Sequence, residues 1–391
     1  MVYCIRTIMI CNMNQKPRIL EINILDSLQP DLVFKTVSFF KENYPGNLTK
    51  EMTSEFFNSK LGYGNPNGTG YLTVAMFNGE VIGTCTATRK KLLVDQDLVE
   101  AVEIGDTFTS PNFRKNCYFR HTYLNIENTE DYLNKSIFGR LATETLDRAK
   151  ADGISYVYGT PNLQAKLSWL KRMSFKLVNQ NFTFRVSSPG KLHPVYNSSK
   201  ITSFFSVIYL NVTNIFCRFA IRNYSLSLIP NNTRLKLDFE NTLKPPADAL
   251  SIYNNANWIE SRFLENTDKK YEVVVITSKS DKRVSGYLFF LKQTRTDGFD
   301  LLILSKAIFV SKEMSRLKLQ FSRISCEKFF DYHNLSLWAD SRLANLSARY
   351  IYGFMSKKTV VDIVGRDLSD KGDKLVERNF FNFDYGDSDL G

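Results

Sequence analysis

The chain has 391 residues, of which 43% are hydrophobic and 23% are charged, and it carries a net charge of +11. This length exceeds one ordinary hydrophobic core and predicts two domains, and the composition excludes disorder on a large scale. The six cysteines and three histidines are scattered without the short spacings of a metal site. We therefore expect no bound metal, and reduced thiols as in cytoplasmic proteins.

The basic residues occur in isolated pairs, such as Lys282-Arg283, and form no continuous stripe. Nucleic acid is therefore not expected as a partner, whereas the positive charge suits a small anionic ligand. No segment predicts a transmembrane span, because the most apolar one, 201–229, is interrupted by polar residues such as Arg218. This segment predicts a buried or interdomain helix; a helix in peripheral contact with a membrane surface is the alternative.

Residues 1–18 are interpreted as an N-terminal extension, and 19–190 as a first domain in which strand-like and helix-like segments alternate. Asn78-Gly79 is typical of a two-residue hairpin, and Gly153 is placed to end a helix. The predicted elements are, in chain order, strand 19–25, helices 32–43 and 50–60, strands 71–77, 81–88 and 102–109, helix 137–152, strand 154–158 and helix 162–173.

Residues 191–246 are predicted to be a connecting helical region, which the breaker Pro245-Pro246 ends. A second domain, 247–391, repeats the alternation more weakly and ends in an acidic, aromatic tail. Its predicted elements are helix 247–263, strands 271–277, 286–292 and 301–309, helix 313–333, and strands 335–338 and 359–364.

The residues that bear on function lie in the segment from Glu103 to Phe175. A strand runs into a loop and a helix begins near Ser136, which directs backbone N–H groups and the positive end of the helix dipole at an anion. Gly139 is the glycine that lets the backbone of this helix start approach such an anion closely. An ordinary strand–helix unit has the same pattern, so these residues alone leave both interpretations open.

This order of elements resembles the GNAT family of acyltransferases over residues 19–185, and the second domain fits as a degenerate copy. The resemblance implies an α/β (α+β) fold of tandem GNAT-like domains, each a mixed twisted sheet flanked by helices. The residues that carry it read Asp-Thr-x-Thr-x-Pro-x-x-Arg, Ile-Phe-x-x-Leu and Tyr-Gly-x-Pro-Asn, and they are Asp106, Thr107, Thr109, Pro111, Arg114, Ile137, Phe138, Leu141, Tyr158, Gly159, Pro161 and Asn162.

The resemblance implies acetyl-CoA or another acyl-CoA as co-substrate, without a metal. Carried over residue by residue, the implied binding residues are Phe108, Thr109 and Ser110 for the pantetheine arm, Arg114, Ser136, Ile137, Phe138, Gly139 and Arg140 for the pyrophosphate, and Asn162 for the pantetheine or the thiol end. One departure from the family is an insert of about twenty residues, 116–135, where relatives have a glycine-rich loop.

Acyl transfer to an amine needs a general base, and Asp106 and Glu103 are the candidates on the strand that faces the acyl carbon in the family. Their odd separation predicts opposite faces of the strand, and we favour Asp106 because it fits the motif. A structural carboxylate that caps the following turn is the alternative for Asp106, and a solvent-facing strand residue is the alternative for Glu103. Ser168 and Trp169 stand near the place of the family's proton-donating tyrosine, so that acid is absent or supplied elsewhere. Tyr158 is the candidate acid, and a packing role at the end of its strand is the alternative.

The function implied by the resemblance is N-acyl transfer to a small-molecule amine, with an amino-sugar precursor of a surface polysaccharide as the suggested acceptor. One alternative is a tRNA-dependent aminoacyl or peptidyl transferase of the cell-wall cross-bridge type. Another is a non-catalytic CoA-binding protein, which the insert and Trp169 favour. The second domain has no comparable loop, so we expect it to shape the acceptor site rather than to bind a second CoA.

Overall fold

The computed structural model divides the chain into two compact units. Unit 1 comprises residues 1–179 and 362–380, and unit 2 comprises residues 180–361 and 381–391. The structure describes residues 3–9, 18–25, 29–43, 53–94, 97–115, 136–187, 200–229, 249–253, 256–265, 270–294, 300–330, 334–340, 355–369 and 380–382.

Unit 1 is built on a mixed sheet. Its strands are β1 (Tyr3–Met9), β2 (Arg18–Leu25), β3 (Tyr71–Phe77), β4 (Glu80–Val94), β5 (Asp97–Thr109), β6 (Tyr156–Gly159) and the end of β14 (Met355–Asp367). They lie in the order β1-β2-β3-β4-β5-β6-β14. Neighbours are antiparallel except for β5 and β6, which are parallel and therefore need a crossover connection.

Helices cover both faces of this sheet. They are α1 (Pro30–Asn43), α2 (Ser54–Leu61), α3 (Pro111–Lys115), α4 (Ile137–Ala151) and α5 (Leu163–Arg172). One core cluster joins α1 and α2 to strands β3 and β4, and includes the buried rings of Phe40 and Phe57. The other cluster joins α4 and α5 to the opposite face, where Leu141 and Trp169 are buried.

Helix α4 forms where the sequence predicts it, because the capping residues at its two ends and its apolar stripe indicate the same bounds. The side chain of Ser136 caps the first turn, and apolar residues recur along one buried face. At the other end Gly153 has a φ of +80°, and its N–H donates to the carbonyl of Lys150. The N–H of Ile154 donates to the carbonyl of Ala149, which completes a Schellman motif. The helix-ending role predicted for Gly153 is confirmed.

Unit 2 has a mixed sheet of similar design. Its strands are β7 (Lys176–Ser187, with its end in this unit), β8 (Tyr224–Ile229), β10 (Tyr271–Ser278), β11 (Val284–Thr294), β12 (Asp300–Phe309) and β13 (Asn334–Asp340). They lie in the order β7-β13-β12-β11-β10-β8, and β12 and β13 are parallel. Two short strands, β9 (Ala249–Ile252) and β15 (Phe380–Asn382), pair with each other outside this order.

The helices of unit 2 repeat the crossover of unit 1, because two of them lie in the chain between the parallel strands β12 and β13. They are α6 (Lys200–Ala220), α7 (Ala256–Ile259) continued by one π turn (Glu260–Leu264), α8 (Lys312–Arg316) and α9 (Lys318–Phe329). The core of this unit packs α9 on the sheet, with Phe290 and Phe321 fully buried. Among the described strands, each unit thus has a parallel pair bridged by helix.

Several elements of the structure differ from the predictions. Within the predicted helix 247–263, the described residues form strand β9 and then α7 with the π turn, because a short apolar run does not distinguish the two periods. Strand β7 was not predicted, although Phe182, Phe184 and Val186 alternate along it with the period of a strand. Helix 313–333 is divided into α8 and α9 and ends at Phe329.

Helix α6 has an apolar face that is exposed. Ile215 and Phe219 are 66% and 65% exposed, whereas Thr213 and Cys217 on the other side of the helix are buried. The expectation of a buried helix is therefore wrong for this face. None of the helices in the described part of the chain combines the length and the hydropathy of a membrane-spanning segment.

Candidate acyl-CoA site

The parallel strands β5 and β6 separate at a defined point. Their paired residues run from Ala101 and Tyr156 to Ile104 and Gly159, where β6 ends. Strand β5 continues to Thr109, paired on its other side with β4. We call the stretch of β5 beyond Ile104, on the side away from β4, the β5–β6 gap. A gap of this kind leaves a strand edge beside which an extended ligand can lie.

Gly159 permits the close approach of the two strands immediately before they separate. A Cβ built on Gly159 would lie 3.1 Å from the carbonyl oxygen of Ile104, closer than most side chains tolerate. The close packing of β5 against β6 is therefore sufficient to explain the glycine at this position of the motif.

A β-bulge interrupts β5 at the predicted catalytic position. Between the pairs Thr84–Phe108 and Thr86–Gly105, β4 contributes one residue and β5 contributes two, Asp106 and Thr107. Asp106 has a φ of +40°, which is uncommon for a residue other than glycine. Bulges of this type re-aim side chains at the ends of strands.

The bulge places Asp106 and Glu103 on the same face of the sheet. Asp106 accepts a hydrogen bond from Thr86, and Glu103 pairs with Lys90, which lies four residues further along β4 and thus on the same face as Thr86. The prediction that the two carboxylates point to opposite faces is wrong. Simple alternation fails because the extra bulge residue shifts the period by one.

Lys60 of α2 fixes the carboxylate of Asp106. Its Nζ lies 2.5 Å from Oδ2 of Asp106, and the hydroxyl of Thr86 donates to the same oxygen at 3.2 Å. The hydroxyl of Thr84 donates to the backbone carbonyl of Asp106 at 2.8 Å. The side chain of Lys60 is 3% exposed and that of Asp106 is 14% exposed. The strained backbone of the bulge is therefore held by three polar contacts.

Glu103 forms a second and deeper ion pair. Its Oε2 lies 3.3 Å from Nζ of Lys90, and both side chains are nearly inaccessible. Burial of two charges is costly unless they remain together, so neither residue can change without affecting the other. Of the two candidate bases, Asp106 has the more exposed side chain, 14% against 2% for Glu103.

The start of α4 packs against the end of β5. A Cβ on Gly83 would lie 3.0 Å from Ile137 and 3.3 Å from the carbonyl oxygen of Phe108. Gly83 also pairs with Thr109 across the sheet. The absence of a side chain at Gly83 thus brings the helix start and the strand end together, as the predicted CoA site requires.

Two of the predicted pyrophosphate donors, the N–H groups of Gly139 and Arg140, are already engaged at the start of α4. The hydroxyl of Ser136 accepts from the N–H of Gly139 at 2.8 Å, and the N–H of Arg140 donates to the carbonyl of Ser136. Ile137 is buried and Phe138 packs edge-to-face on Trp169. The positive end of the helix dipole remains at this point, since it does not depend on any single N–H group.

The predicted pantetheine residues lie at the end of β5. Phe108 packs on the rings of Phe39 and Phe40, and Thr109 pairs with Gly83. The N–H of Ser110 donates to the carbonyl of Ile82, and its hydroxyl donates to the side chain of Asn43. That N–H is therefore already used within the protein. The backbone of α3 includes Arg114, but its side chain and the insert 116–135 lie outside the described residues.

The residues after β6 have structural roles in addition to the predicted ones. Asn162 caps α5, since its Oδ1 accepts from the N–H of Ala165. Tyr158 is fully buried and stacks on Tyr156. Trp169 belongs to the core. Neither capping nor packing excludes the roles predicted for Asn162 and Tyr158, which stay predictions.

Cys85 lies opposite the bulge and accepts a hydrogen bond from Thr107 at 3.5 Å. Burial raises the pKa of this thiol, and the hydrogen bond only partly opposes the rise. The thiolate needed for nucleophilic catalysis is therefore disfavoured. Cys85 contributes packing at the bulge.

Sequence reasoning missed Lys60, Lys90 and Thr86. Lys60 is 46 residues from Asp106 in the chain, and nothing in its helical pattern distinguishes a buried lysine from an exposed one. Thr86 is part of an alternating strand pattern that predicts its face but not its partner.

No protein-family model matches this sequence, and no curated protein has significant sequence similarity to it. Solved structures have a similar fold. The match to a GCN5-related N-acetyltransferase from Anabaena variabilis covers 89% of this chain and 73% of that one, with a TM-score of 0.54 and 10% identity. The match to a GCN5-related N-acetyltransferase from Kribbella flavida covers 88% and 71%, with a TM-score of 0.50 and 10% identity.

The N-myristoyltransferase of Saccharomyces cerevisiae, solved with bound myristoyl-CoA, is similar over 88% of this chain and 82% of its own. The TM-score is 0.51 and the identity is 10%. These likenesses show the fold. The predicted class is confirmed: the protein is a mixed α/β protein consistent with tandem GNAT-like domains.

The deep ion pair gives a stability prediction. Replacement of Lys90 by Met leaves the buried carboxylate of Glu103 without its ammonium, and we expect a loss of about 3–5 kcal/mol in the free energy of unfolding. Lys91→Met is the matched control, because Lys91 pairs with Glu100 at 3.6 Å on the surface, where a pair is worth at most about 1 kcal/mol.

Urea unfolding of both variants measures the difference. The double variant Lys90→Met/Glu103→Leu should recover most of the loss, because it removes both charges. Equal stability of Lys90→Met and Lys91→Met would contradict the assignment of a buried pair.

Proposed function

We propose that this protein transfers an acyl group from an acyl-CoA to an amine. The observation that carries the proposal is the β5–β6 gap, with the start of α4 packed beside it at Gly83. An extended thioester with amide groups fits a strand edge, and its pyrophosphate fits the start of a helix. The myristoyl-CoA bound to the yeast N-myristoyltransferase supports acyl-CoA as the ligand class.

The proposed reaction is direct attack of the acceptor nitrogen on the thioester carbonyl. The C–N bond forms and the C–S bond breaks, so that the products are an amide and free CoA thiol. A base takes a proton from the amine, and the leaving thiolate takes a proton. Asp106 is the proposed base, since it lies at the bulge beside the gap and is more exposed than Glu103. Tyr158 remains the proposed acid.

The acceptor is proposed to approach from the face of the sheet that α1 and α2 cover, because both carboxylates lie there. Lys60 and Thr86 orient Asp106 and limit its motion. The acceptor class is a small-molecule amine, and amino-sugar precursors are the first candidates through the family resemblance. Acetyl-CoA is the first acyl donor to test.

A second candidate function is CoA binding without catalysis. The two ion pairs favour it, because each candidate base is already paired with a lysine. The engaged N–H of Gly139 also weakens the pyrophosphate contact relative to an open helix start. Turnover, rather than binding, separates this function from the first.

Calorimetric titration with acetyl-CoA tests the ligand class. The variant Arg114→Ala/Arg140→Ala removes two predicted pyrophosphate contacts, and we expect its affinity to fall about tenfold to a hundredfold, as for lost charge-assisted hydrogen bonds. Lys171→Ala/Arg172→Ala removes the same charge at the far end of α5 and should bind as the wild type does. Absence of binding to the unaltered protein would rule out both functions.

Release of CoA thiol over a panel of amines tests catalysis. With an acceptor that is turned over, Asp106→Asn should lower kcat about a hundredfold or more, since an amide takes no proton from the amine. The Kd of acetyl-CoA should be unchanged, because the amide oxygen still accepts from Lys60 and Thr86 and so keeps the bulge in place. A binding-competent protein that turns over no amine supports the non-catalytic function. Full activity of Asp106→Asn would show that another group is the base.

A further inference from the structure

The exposed face of α6 is one continuous apolar stripe. With a rotation of 100° per residue, the apolar side chains of the stripe fall within an arc of about 100° around the helix axis. An apolar face of this width normally packs against the core of a protein or against a partner. From first to last the stripe is about 17 Å long. Its members are Ile208, Val212, Ile215, Phe216 and Phe219, each between 44% and 66% exposed.

The opposite side of α6 already attaches the helix to its own unit. Thr213 and Cys217 are buried there, and Asn214 accepts a hydrogen bond from Arg323 of α9. Arg218 pairs with Glu327 at 2.9 Å, also on α9. The apolar stripe is therefore not the contact that fixes the helix in the fold, and its exposure needs another explanation.

A basic cluster adjoins the C-terminal end of the stripe. The guanidinium of Arg222 lies 4.1 Å from the ring centroid of Phe219, and the Nζ of Lys279 donates to the carbonyl of Arg222. Lys282 and Arg283 are exposed in the same turn as Lys279. We call Arg222, Lys279, Lys282 and Arg283 the basic cluster; Asp281 is the acidic residue among them, which leaves the cluster with a net charge of +3.

Helix α6 itself contains no acidic residue, and its charged residues are Lys200 and Arg218. An apolar stripe with aromatic side chains and a basic border is the pattern of helices that lie in the interface of a membrane. A second copy of the chain fits less well, because it would bring a second basic cluster to the same surface. Anionic lipid headgroups instead complement the cluster.

We propose that α6 docks this protein on an anionic membrane surface, with the helix parallel to the bilayer and its stripe at the level of the acyl chains. The basic cluster contacts the headgroups. This inference goes beyond the proposed function and does not depend on it, since the stripe and the cluster belong to unit 2 and the β5–β6 gap belongs to unit 1.

Cosedimentation of the full chain with vesicles tests this proposal. We expect binding to phosphatidylcholine vesicles that contain about one-third phosphatidylglycerol, with at least about tenfold weaker binding to pure phosphatidylcholine. Binding should also fall as salt rises to about 0.5 M, because the headgroup attraction is screened. Equal affinity for both vesicle types, or no binding to either, would contradict the proposal.

Matched aspartate variants locate the contact. Phe219→Asp should lower the bound fraction about tenfold, and Ile215→Asp/Phe219→Asp should abolish binding, because a charge cannot enter the acyl region. Phe34→Asp is the control, since Phe34 is 67% exposed on α1. This variant should bind the vesicles as the wild type does. Circular dichroism checks that each variant is folded. Equal loss in the Phe34 and Phe219 variants would overturn the assignment to α6.

A charge-reversal pair tests the basic cluster. Arg222→Glu/Lys282→Glu should lose the preference for anionic vesicles, whereas Lys41→Glu/Lys171→Glu, at exposed positions of unit 1, should keep it. Light scattering without vesicles measures the oligomeric state and so tests whether a second copy of the chain covers the stripe. A dimer that Phe219→Asp dissociates, together with no vesicle binding, would replace the membrane by a second copy as the partner of the stripe.

Discussion

The bulge at Asp106 is the constraint on which the candidate site depends. It adds one residue to β5, and so turns Asp106 to the face that already carries Glu103. Its positive φ is unfavourable for an aspartate, and Lys60, Thr84 and Thr86 offset that cost with polar contacts. The β5–β6 gap opens directly beside it. The position of the carboxylates and the edge offered to a ligand therefore share one local cause.

The sequence predicted the frame of unit 1 well where local signals agree with tertiary packing. Strand β3 has the predicted bounds, and α4 begins at Ile137 as predicted because its cap and its apolar stripe coincide. The hairpin at Asn78-Gly79 is present, with positive φ at both residues. The sequence signals that specify such elements lie within a few neighbouring residues. The ends of β4 and β5 were missed because long strands continue wherever a neighbour pairs with them.

The remaining features arise from contacts between residues far apart in the chain. No local pattern predicts that Lys60 meets Asp106, or that a bulge breaks the alternation on which the face assignment rested. Helix α6 shows the opposite case, since its apolar composition suggested burial and its stripe is exposed. The composition of a helix indicates how much apolar surface it can bury. It does not indicate whether that surface is buried against the same chain or against another partner.

Amide hydrogen exchange of residues 105–109, with and without acetyl-CoA, tests the central claim most directly. If the ligand lies along the β5–β6 gap, these amides and those at the start of α4 should exchange more slowly in its presence. Residues 305–309, at the corresponding strand end of unit 2, should be unchanged. Saturating acetyl-CoA that leaves exchange at residues 105–109 unaltered would contradict the account.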